Sequence, residues 1–214
     1  ANLKHGAWQQ SGLKSQSMPV NFGLGSMLRG KTLGIWSYGK IGALVASYGK
    51  AFGMNVIIWG SDDAQRRAAA DGFSLAASKE ALFQQSDILT LHLRLAPSTE
   101  ACVTAEDLAC MKPTSLLVNT SRAELIEPDA LLTSLNRGHP GMAAVDVFES
   151  EPILQGHALL RLENCICTPH IGFVEQENYE AFFSSAFENI VNFIKGTPTN
   201  IVNPGALQMR RRSN

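Results

Sequence analysis

The sequence lacks a long apolar run, since no uninterrupted stretch of its 214 residues approaches the roughly 20 needed to cross a bilayer. Its first residues also lack the charged segment followed by a short apolar run that forms a secretory signal. We therefore expect a soluble, cytoplasmic chain with no membrane partner.

The sequence has no excess charge of one sign. Its 18 Lys and Arg residues face 19 Asp and Glu residues, which gives a formal net charge of -1. Basic side chains cluster only at Arg210, Arg211 and Arg212. A near-neutral chain produces no long-range field for a polyanion, so we expect no nucleic-acid partner.

Cysteine is scarce, and its spacing excludes the common zinc motifs. Cys102, Cys110, Cys165 and Cys167 do not form the paired C-x-x-C pattern, so we expect no metal site. A chain of this size does not need disulfides to fold. Because Cys165 and Cys167 alternate within a predicted strand, we expect both to be buried thiols.

The main positive signal is the alternation of short apolar runs with helical patterns from Lys31 onward. This pattern is typical of parallel strands joined by crossover helices and predicts an α/β, Rossmann-type doubly wound sheet. The predicted strands are Leu33–Trp36, Val56–Trp59, Ile88–Leu93, Leu116–Asn119, Met142–Val147 and Cys165–Thr168. The predicted helices are Lys40–Phe52, one capped by Thr104 with Asp107, one from Pro128 to before Gly138, and one from about Glu175 to Lys195.

Residues 37–42, Ser-Tyr-Gly-Lys-Ile-Gly, lie between the first strand and helix. Dinucleotide-binding folds place G-x-G-x-x-G there to hold pyrophosphate against helix amides. Gly39 allows backbone to approach phosphate and Gly42 allows close helix packing, but Ser37 replaces the glycine that makes the tight turn. Alone, the segment also fits an ordinary strand–helix turn.

The second strand lacks the terminal acidic residue that binds the adenosine ribose, because Gly60 and Ser61 follow Trp59. Asp62 is placed to reach the ribose and to repel a 2′-phosphate. Ser61, Arg66 or Arg67 would instead bind that phosphate. We favour NAD and leave NADP as the alternative.

Three polar motifs follow later strands, and parallel strands bring such ends to one sheet edge. They are Asn119–Arg122, Asp146–Pro152 and Thr168–Gly172. Singly, their charged residues fit a surface ion pair, a carboxylate before proline and a loop histidine. In combination with Leu28–Ile35 and Met111–Pro113, the motifs resemble the D-isomer-specific 2-hydroxyacid dehydrogenase family.

The resemblance implies hydride transfer between NAD(P)H and a small 2-keto or 2-hydroxy acid. Arg122 would orient the substrate, His170 would act as acid/base and Glu151 would be its acidic partner. A guanidinium can hold the carboxylate and the adjacent keto oxygen of the substrate, which suits Arg122 to this role. A carboxylate near an imidazole favours the protonated ring, which can act as the acid. The residues expected at the cofactor are Tyr38, Gly39, Lys40, Ile41, Gly42, Ser61, Asp62, His92, Thr120, Ser121, Asp146 and Gly172.

The chain departs from the family pattern near His92, where Arg94 and Ala96 replace the usual Pro and Thr. It also nearly lacks the family's substrate domain of on the order of a hundred residues. Residues 1–30, which open on Ala1, are expected to be an arm or connection from that domain. Residues 31–201 would form the cofactor domain and 202–214 a tail.

The family forms dimers through its cofactor domains, so the resemblance also implies a homodimer in which residues 1–30 cross between subunits. Two other functions remain open. Ser37 and the missing domain favour a dinucleotide-binding module with little or no turnover. A formate or phosphite dehydrogenase of the same family is the other, although the formate branch carries Gln where Glu151 stands.

Overall fold

The computed structural model describes residues 25–205 and 207. The chain divides into two compact units, the first ending at Cys167 and the second beginning at Thr168. Residues 1–24 of the predicted arm 1–30 lie outside the described residues. Most of the predicted tail 202–214 also lies outside them.

The first unit is built on a seven-stranded parallel sheet in the order β3-β2-β1-β4-β5-β6-β7. The predicted Rossmann-type α/β fold is therefore confirmed. The strands are β1 (Thr32–Trp36), β2 (Asn55–Trp59), β3 (Ser74–Leu75), β4 (Ile88–Leu91), β5 (Leu116–Asn119), β6 (Met142–Val145) and β7 (Cys165–Cys167).

Five helices of the first unit connect these strands, and local capping explains where several begin. The Ser61 and Ser78 hydroxyls accept hydrogen bonds from backbone amides of the first turns they cap, and Thr104 and Asp107 form a reciprocal capping box. The helices are α1 (Lys40–Ala51), α2 (Asp62–Ala70), α3 (Lys79–Gln85), α4 (Ala105–Ala109) and α5 (Ala130–Arg137).

The core lies on both faces of the central strands. Ile35 and Ile58 belong to one buried cluster, whereas Leu89, Leu91 and Leu117 belong to another. All five side chains are fully buried. Burial on two faces explains why these strands appear as continuous apolar runs rather than alternating patterns.

The strand order reverses between β1 and β4, which are direct neighbours. The chain leaves β1 toward β2 on one side, and β4 leads to β5 on the other. A crevice therefore opens beyond the carboxyl ends of β1 and β4, where doubly wound folds bind ligands. The glycine loop, His92 and the residues after Asn119 all follow strands that end at this edge.

The sequence did not predict α2, β3 or α3. Helix α2 is mostly polar and buries only Ala64 and Ala68, so it lacks a strong apolar period. Strand β3 has two residues. Strands β4 and β6 are each two residues shorter than predicted, ending at Leu91 and Val145, because the chain leaves the ladder before its polar motifs begin.

The second unit contains α6 (Gln176–Ile194), within one residue of the predicted bounds at each end. None of its residues is buried. Tyr179, Phe183 and Phe187 form a row in which successive ring centroids are 6.1 and 6.4 Å apart. Among the described helices, none is both long and apolar enough to cross a membrane.

Candidate cofactor and active site

The glycine loop connects β1 to α1 and has two unusual backbone features. Ser37 has a φ of 85°, in the left-handed region that favours glycine. A Cβ at Gly42 would collide with the Ser37 carbonyl oxygen, so glycine is required for this close approach of helix and loop. Gly39, at the helix N-cap, has open space where its Cβ would be, and the first turn carries no acidic residue. These features fit a phosphate-bearing ligand at the N-terminus of α1.

The buried side chain of Tyr38 anchors the glycine loop to the core. Its side chain is 3% exposed, and its ring packs against Phe73. The hydroxyl donates a 2.8 Å hydrogen bond to Asp71 Oδ2. Burial, followed by this bond, raises the pKa of Tyr38 to about 12. The side chain therefore braces the loop, a role that its position between two loop residues did not reveal.

The end of β2 is in direct contact with the glycine loop. The Ser37 amide donates a 2.7 Å hydrogen bond to the Trp59 carbonyl. A Cβ at Gly60 would lie 3.3 Å from Ser37 Cα and 3.3 Å from Ala64 Cβ. Glycine at residue 60 thus accommodates the close approach of Ser37, which gives a steric reason for the absent acidic residue.

The residues considered for cofactor selection lie between the N-cap of α2 at Ser61 and Arg67. The Ser61 hydroxyl accepts a hydrogen bond from Ala64 N, and Asp62 is exposed in the first turn. Asp63 binds Arg66 at 3.3 Å and Arg67 at 3.0 Å. The hydrogen bonds from Arg67 and Arg66 lower the pKa of Asp63. Both arginines are therefore already paired with a carboxylate.

A cleft of about 350 Å³ lies at the switch point of the sheet. It brings together predicted site residues from three separate segments, together with the Arg94 that departs from the family pattern. Its lining residues are Ile41, His92, Leu93, Arg94, Leu95, Thr120, Ser121 and Arg122. Two of the lining residues, Arg94 and Arg122, are arginines, and Arg122 Nη1 donates a hydrogen bond to the Ser121 carbonyl. A cleft lined by two arginines favours anionic ligands.

Asn119 organises the loop that carries Arg122. Its side chain is 1% exposed, donates a 2.8 Å hydrogen bond to the Arg122 carbonyl and accepts a 3.0 Å bond from Ser121 N. Ser121 Oγ donates to the Leu91 carbonyl at 2.8 Å, which ties the loop to β4. The sequence places Asn119 in a motif but did not identify this role. Its signal is a polar residue at the end of an apolar strand.

His92 forms part of the cleft wall. Its Nε2 lies 3.1 Å from Thr90 Oγ1, and its amide donates to the Trp36 carbonyl at 3.0 Å. Burial lowers the pKa of His92, which favours the neutral ring. His92 is therefore suited to hydrogen bonding or packing rather than to charge pairing.

Asp146 and Glu151 follow β6. Asp146 is 4% exposed, and its amide donates to the Asn119 carbonyl at 3.0 Å. Glu151 Oε1 accepts a 3.0 Å hydrogen bond from Phe148 N, while the residue itself is exposed. The Glu151 carboxylate thus closes its own loop and stays reachable from solvent.

His170 and Gly172 lie in the second unit. His170 has a φ of 53°, a left-handed conformation that is uncommon for a residue other than glycine. Its amide donates to the Thr168 carbonyl at 3.0 Å, and its ring meets Phe173 edge-on at 5.7 Å. Strained backbone of this kind concentrates at functional sites. Within the described residues, no group of three or more His, Cys, Asp or Glu side chains is arranged to hold a metal ion.

Residues 1–172 match the family model described as "D-isomer specific 2-hydroxyacid dehydrogenase, NAD binding domain". The chain belongs to this family. It is 39% identical over 189 residues to a glyoxylate reductase of Aeropyrum pernix, covering 88% of this chain and 56% of the relative. It is 37% identical over 177 residues to a hydroxypyruvate reductase of Blautia hydrogenotrophica, covering 82% and 54%.

Among solved structures, this chain is similar to one from Ralstonia solanacearum that is described as a putative D-3-phosphoglycerate dehydrogenase. The TM-score is 0.86 and the sequence identity is 63%. That match covers 96% of this chain and 60% of the other. The chain thus spans between 54% and 60% of the length of these three relatives.

Proposed function

We propose that this chain is the cofactor-binding and catalytic part of an NAD(P)-dependent dehydrogenase that interconverts a small 2-keto acid and its D-2-hydroxy acid. The observation that carries the proposal is the cleft at the β1/β4 switch point, where Ile41 at the beginning of α1 and Arg122 line the same space. It combines a place for a dinucleotide with a cation for a carboxylate. Family membership supplies the reaction class.

The glycine loop fits a dinucleotide, because Gly39 and the acid-free first turn of α1 leave backbone amides open to phosphate. Lys40 and Ile41 would line the pyrophosphate. Tyr38 would contribute its backbone, since its side chain is buried. When bound, the nicotinamide supplies or accepts the hydride.

The substrate roles follow from the chemistry of each side chain. The Arg122 guanidinium would clamp the carboxylate and the adjacent oxygen, fixing the face of the carbonyl. His170 would donate the proton needed by the developing alkoxide and take it back in the oxidation. Glu151, whose second role is to close its loop through Phe148 N, would favour the protonated imidazole.

For the cofactor, we propose NAD in preference to NADP. The two arginines suited to a 2′-phosphate are already paired with Asp63, and the Ser61 hydroxyl accepts the capping bond of α2. Asp62 adds an exposed negative charge to the same turn. A 2′-phosphate would therefore meet carboxylates before it met a cation that has no carboxylate partner.

We also propose that the protein is a homodimer through α1. Its outer face carries Leu44 and Tyr48, and Phe52, the C-cap of the helix, continues the same row; the three are four residues apart and between 55% and 63% exposed. Dimerisation through the cofactor domain is the arrangement that the family resemblance implies, and α1 belongs to that domain. A second copy of this chain is accordingly the proposed occupant of this face.

A dinucleotide-binding module without turnover is the second candidate, favoured by the left-handed Ser37 in the glycine loop. The deciding experiment joins the substrate domain of a family relative upstream of this chain. The isolated chain is expected to bind NADH with poor turnover, and the fusion is expected to reduce glyoxylate or hydroxypyruvate. A fusion that binds NADH and both keto acids without reducing them would support the module.

Two variants of the active fusion then test the roles. His170→Ala should slow reduction by roughly a hundredfold or more while NADH affinity is kept. Arg122→Ala should also raise KM for the keto acid. A reduction rate that survives the loss of His170 would contradict the proposed mechanism.

A further inference from the structure

Strand β7 presents two thiols on one face. Cys165 and Cys167 are two residues apart, and their Sγ atoms are 3.8 Å apart. Ile166, between them, is 66% exposed. The sequence predicts buried thiols, but both cysteines are only partly buried, packed beside the larger core cluster at the edge of the sheet. Both cysteines are therefore partly exposed at the sheet edge.

A direct disulfide does not suit this pair while β7 stays a strand. Residues two apart on one strand are separated by about 6.6 Å, and so are their Cβ atoms, which project in parallel. A disulfide requires Cβ atoms about 3.5–4.5 Å apart. A single atom bridging the sulfurs removes this conflict, because it lengthens the link between the two Cβ atoms.

The sulfur separation is close to what such a bridge needs. Two sulfurs bonded at about 2.3 Å to one centre are about 3.8 Å apart at a tetrahedral angle, and closer together at the narrower angle of a pyramidal three-coordinate centre. A small rotation of the two side chains brings the sulfurs to that shorter distance. A structural zinc ion, however, takes four protein ligands. The described part of the chain has no group of three or more metal-binding side chains, so Cys165 and Cys167 offer only two. Two thiols suit a ligand that forms bonds to only two sulfurs.

We propose that Cys165 and Cys167 form a dithiol site for monosubstituted trivalent arsenicals. Such a compound carries one carbon substituent and completes its three bonds with the two sulfurs. In the reaction of R–As=O with two thiols, two S–H and the As–O bonds break, two As–S bonds form and one water leaves. Arsenic stays trivalent, so no oxidant or reductant is required.

The raised pKa of Cys165 favours this ligand over a metal cation. Burial, with a further contribution from Cys167, raises the pKa of Cys165 to about 12. A metal ion would need both thiols deprotonated at this partly buried position. The arsenical instead converts two neutral thiols into a neutral product, and its carbon substituent extends from the sheet edge.

The test uses phenylarsine oxide and the variant Cys102→Ser/Cys110→Ser, which leaves only the β7 pair. Mass spectrometry should detect one phenylarsine per chain with the loss of one water and two free thiols. The adduct should resist excess glutathione and be removed by 2,3-dimercaptopropanol, since only a dithiol matches two As–S bonds. An adduct that glutathione removes would overturn the proposal.

The matched control is Cys165→Ser/Cys167→Ser, which keeps Cys102 and Cys110 and should retain at least tenfold less phenylarsine after glutathione. Cys167→Ser in the two-thiol background should behave the same way, because one thiol cannot form both bonds. Circular dichroism of each variant establishes that the sheet has formed. Equal retention by these variants and the two-thiol chain would show that the β7 pair is not the site.

Discussion

Ser37 and Gly60 lie against each other across the ends of β1 and β2: a Cβ on Gly60 would come 3.3 Å from Ser37 Cα. The glycine loop is thus held between the end of β2 and the beginning of α1, where Gly42 makes the other close approach. Ser37 adopts its left-handed φ of 85° within this restricted space. The departure from the glycine pattern therefore has a conformational cost.

Ser37→Gly is expected to tighten NADH binding by about 1 kcal/mol, roughly fivefold in Kd, because glycine adopts this conformation without a Cβ penalty. Titration calorimetry on the chain provides the measurement. Ser37→Ala is the matched control, since it removes the hydroxyl and keeps the Cβ. If both variants bind NADH equally well, the hydroxyl rather than backbone strain is responsible.

Gly60→Ala tests the same relationship from the other side. The added Cβ must displace Ser37 or Ala64 by a few tenths of an ångström, so we expect weaker NADH binding and a lower Tm. Combined with Ser37→Gly, its effect should be smaller than the sum of the single effects, since the two residues are in contact. Strict additivity would mean that the loop does not respond to Gly60.

Asp63→Ala is expected to improve NADPH binding relative to NADH, because it releases Arg66 and Arg67 from their carboxylate partner. Asp62→Ala should shift the ratio in the same direction by removing a repulsive charge. The measurement is the ratio of the two Kd values at constant ionic strength. An unchanged ratio in both variants would mean that Asp62 and Asp63 do not influence binding of the 2′-phosphate.

Asn119→Asp is expected to destabilise the chain by about 1–3 kcal/mol, because the buried carboxylate faces the Arg122 carbonyl without a proton to donate. Urea unfolding measures the change. Asn136→Asp is the matched control, since Asn136 makes a similar 2.9 Å bond to the Leu132 carbonyl at an exposed position. Comparable losses in the two variants would contradict the organising role of Asn119.

Acid should destabilise the chain through His92. Burial lowers its folded pKa below the ordinary value of 6.5, so the unfolded chain binds the proton more readily. The resulting stability is present above pH 6.5 and is lost as pH falls toward the folded pKa. His92→Gln should reduce the dependence of the urea midpoint on pH between 7.5 and 5. If the urea midpoint of His92→Gln depends on pH as strongly as that of the unmodified chain, His92 is not the source of the acid sensitivity.

The sequence predicts six of the seven strands because they are short, apolar and followed by polar motifs. The sequence does not predict β3, because a strand of two residues is too short to show an alternating pattern. It does not predict α2, because that helix is stabilised by the Ser61 cap and two buried alanines rather than by a stripe of large apolar residues. At the site, Arg122 and Ile41 are predictable from motifs. The Tyr38–Asp71 hydrogen bond joins residues 33 positions apart, so no local pattern indicates it.

Arg94 provides the test of the cleft as an anion site. It lines the same space as Arg122, and within the described residues neither arginine pairs with a carboxylate. The family's usual residue at this position is proline, so Arg94→Pro restores the family pattern and removes one positive charge. We expect weaker NADH binding at low salt and a smaller loss of affinity as salt is raised, because the pyrophosphate loses one cation.

Arg137→Ala is the matched control for Arg94→Pro, since it removes a positive charge at the end of α5, outside the cleft. Arg94→Ala separates the loss of charge from the rigidity of proline. The measurement is the Kd for NADH at several salt concentrations. If Arg94→Ala and Arg137→Ala give the same salt dependence, Arg94 does not act on the dinucleotide. A weaker dependence only in the Arg94 variants would place its charge beside the bound anion.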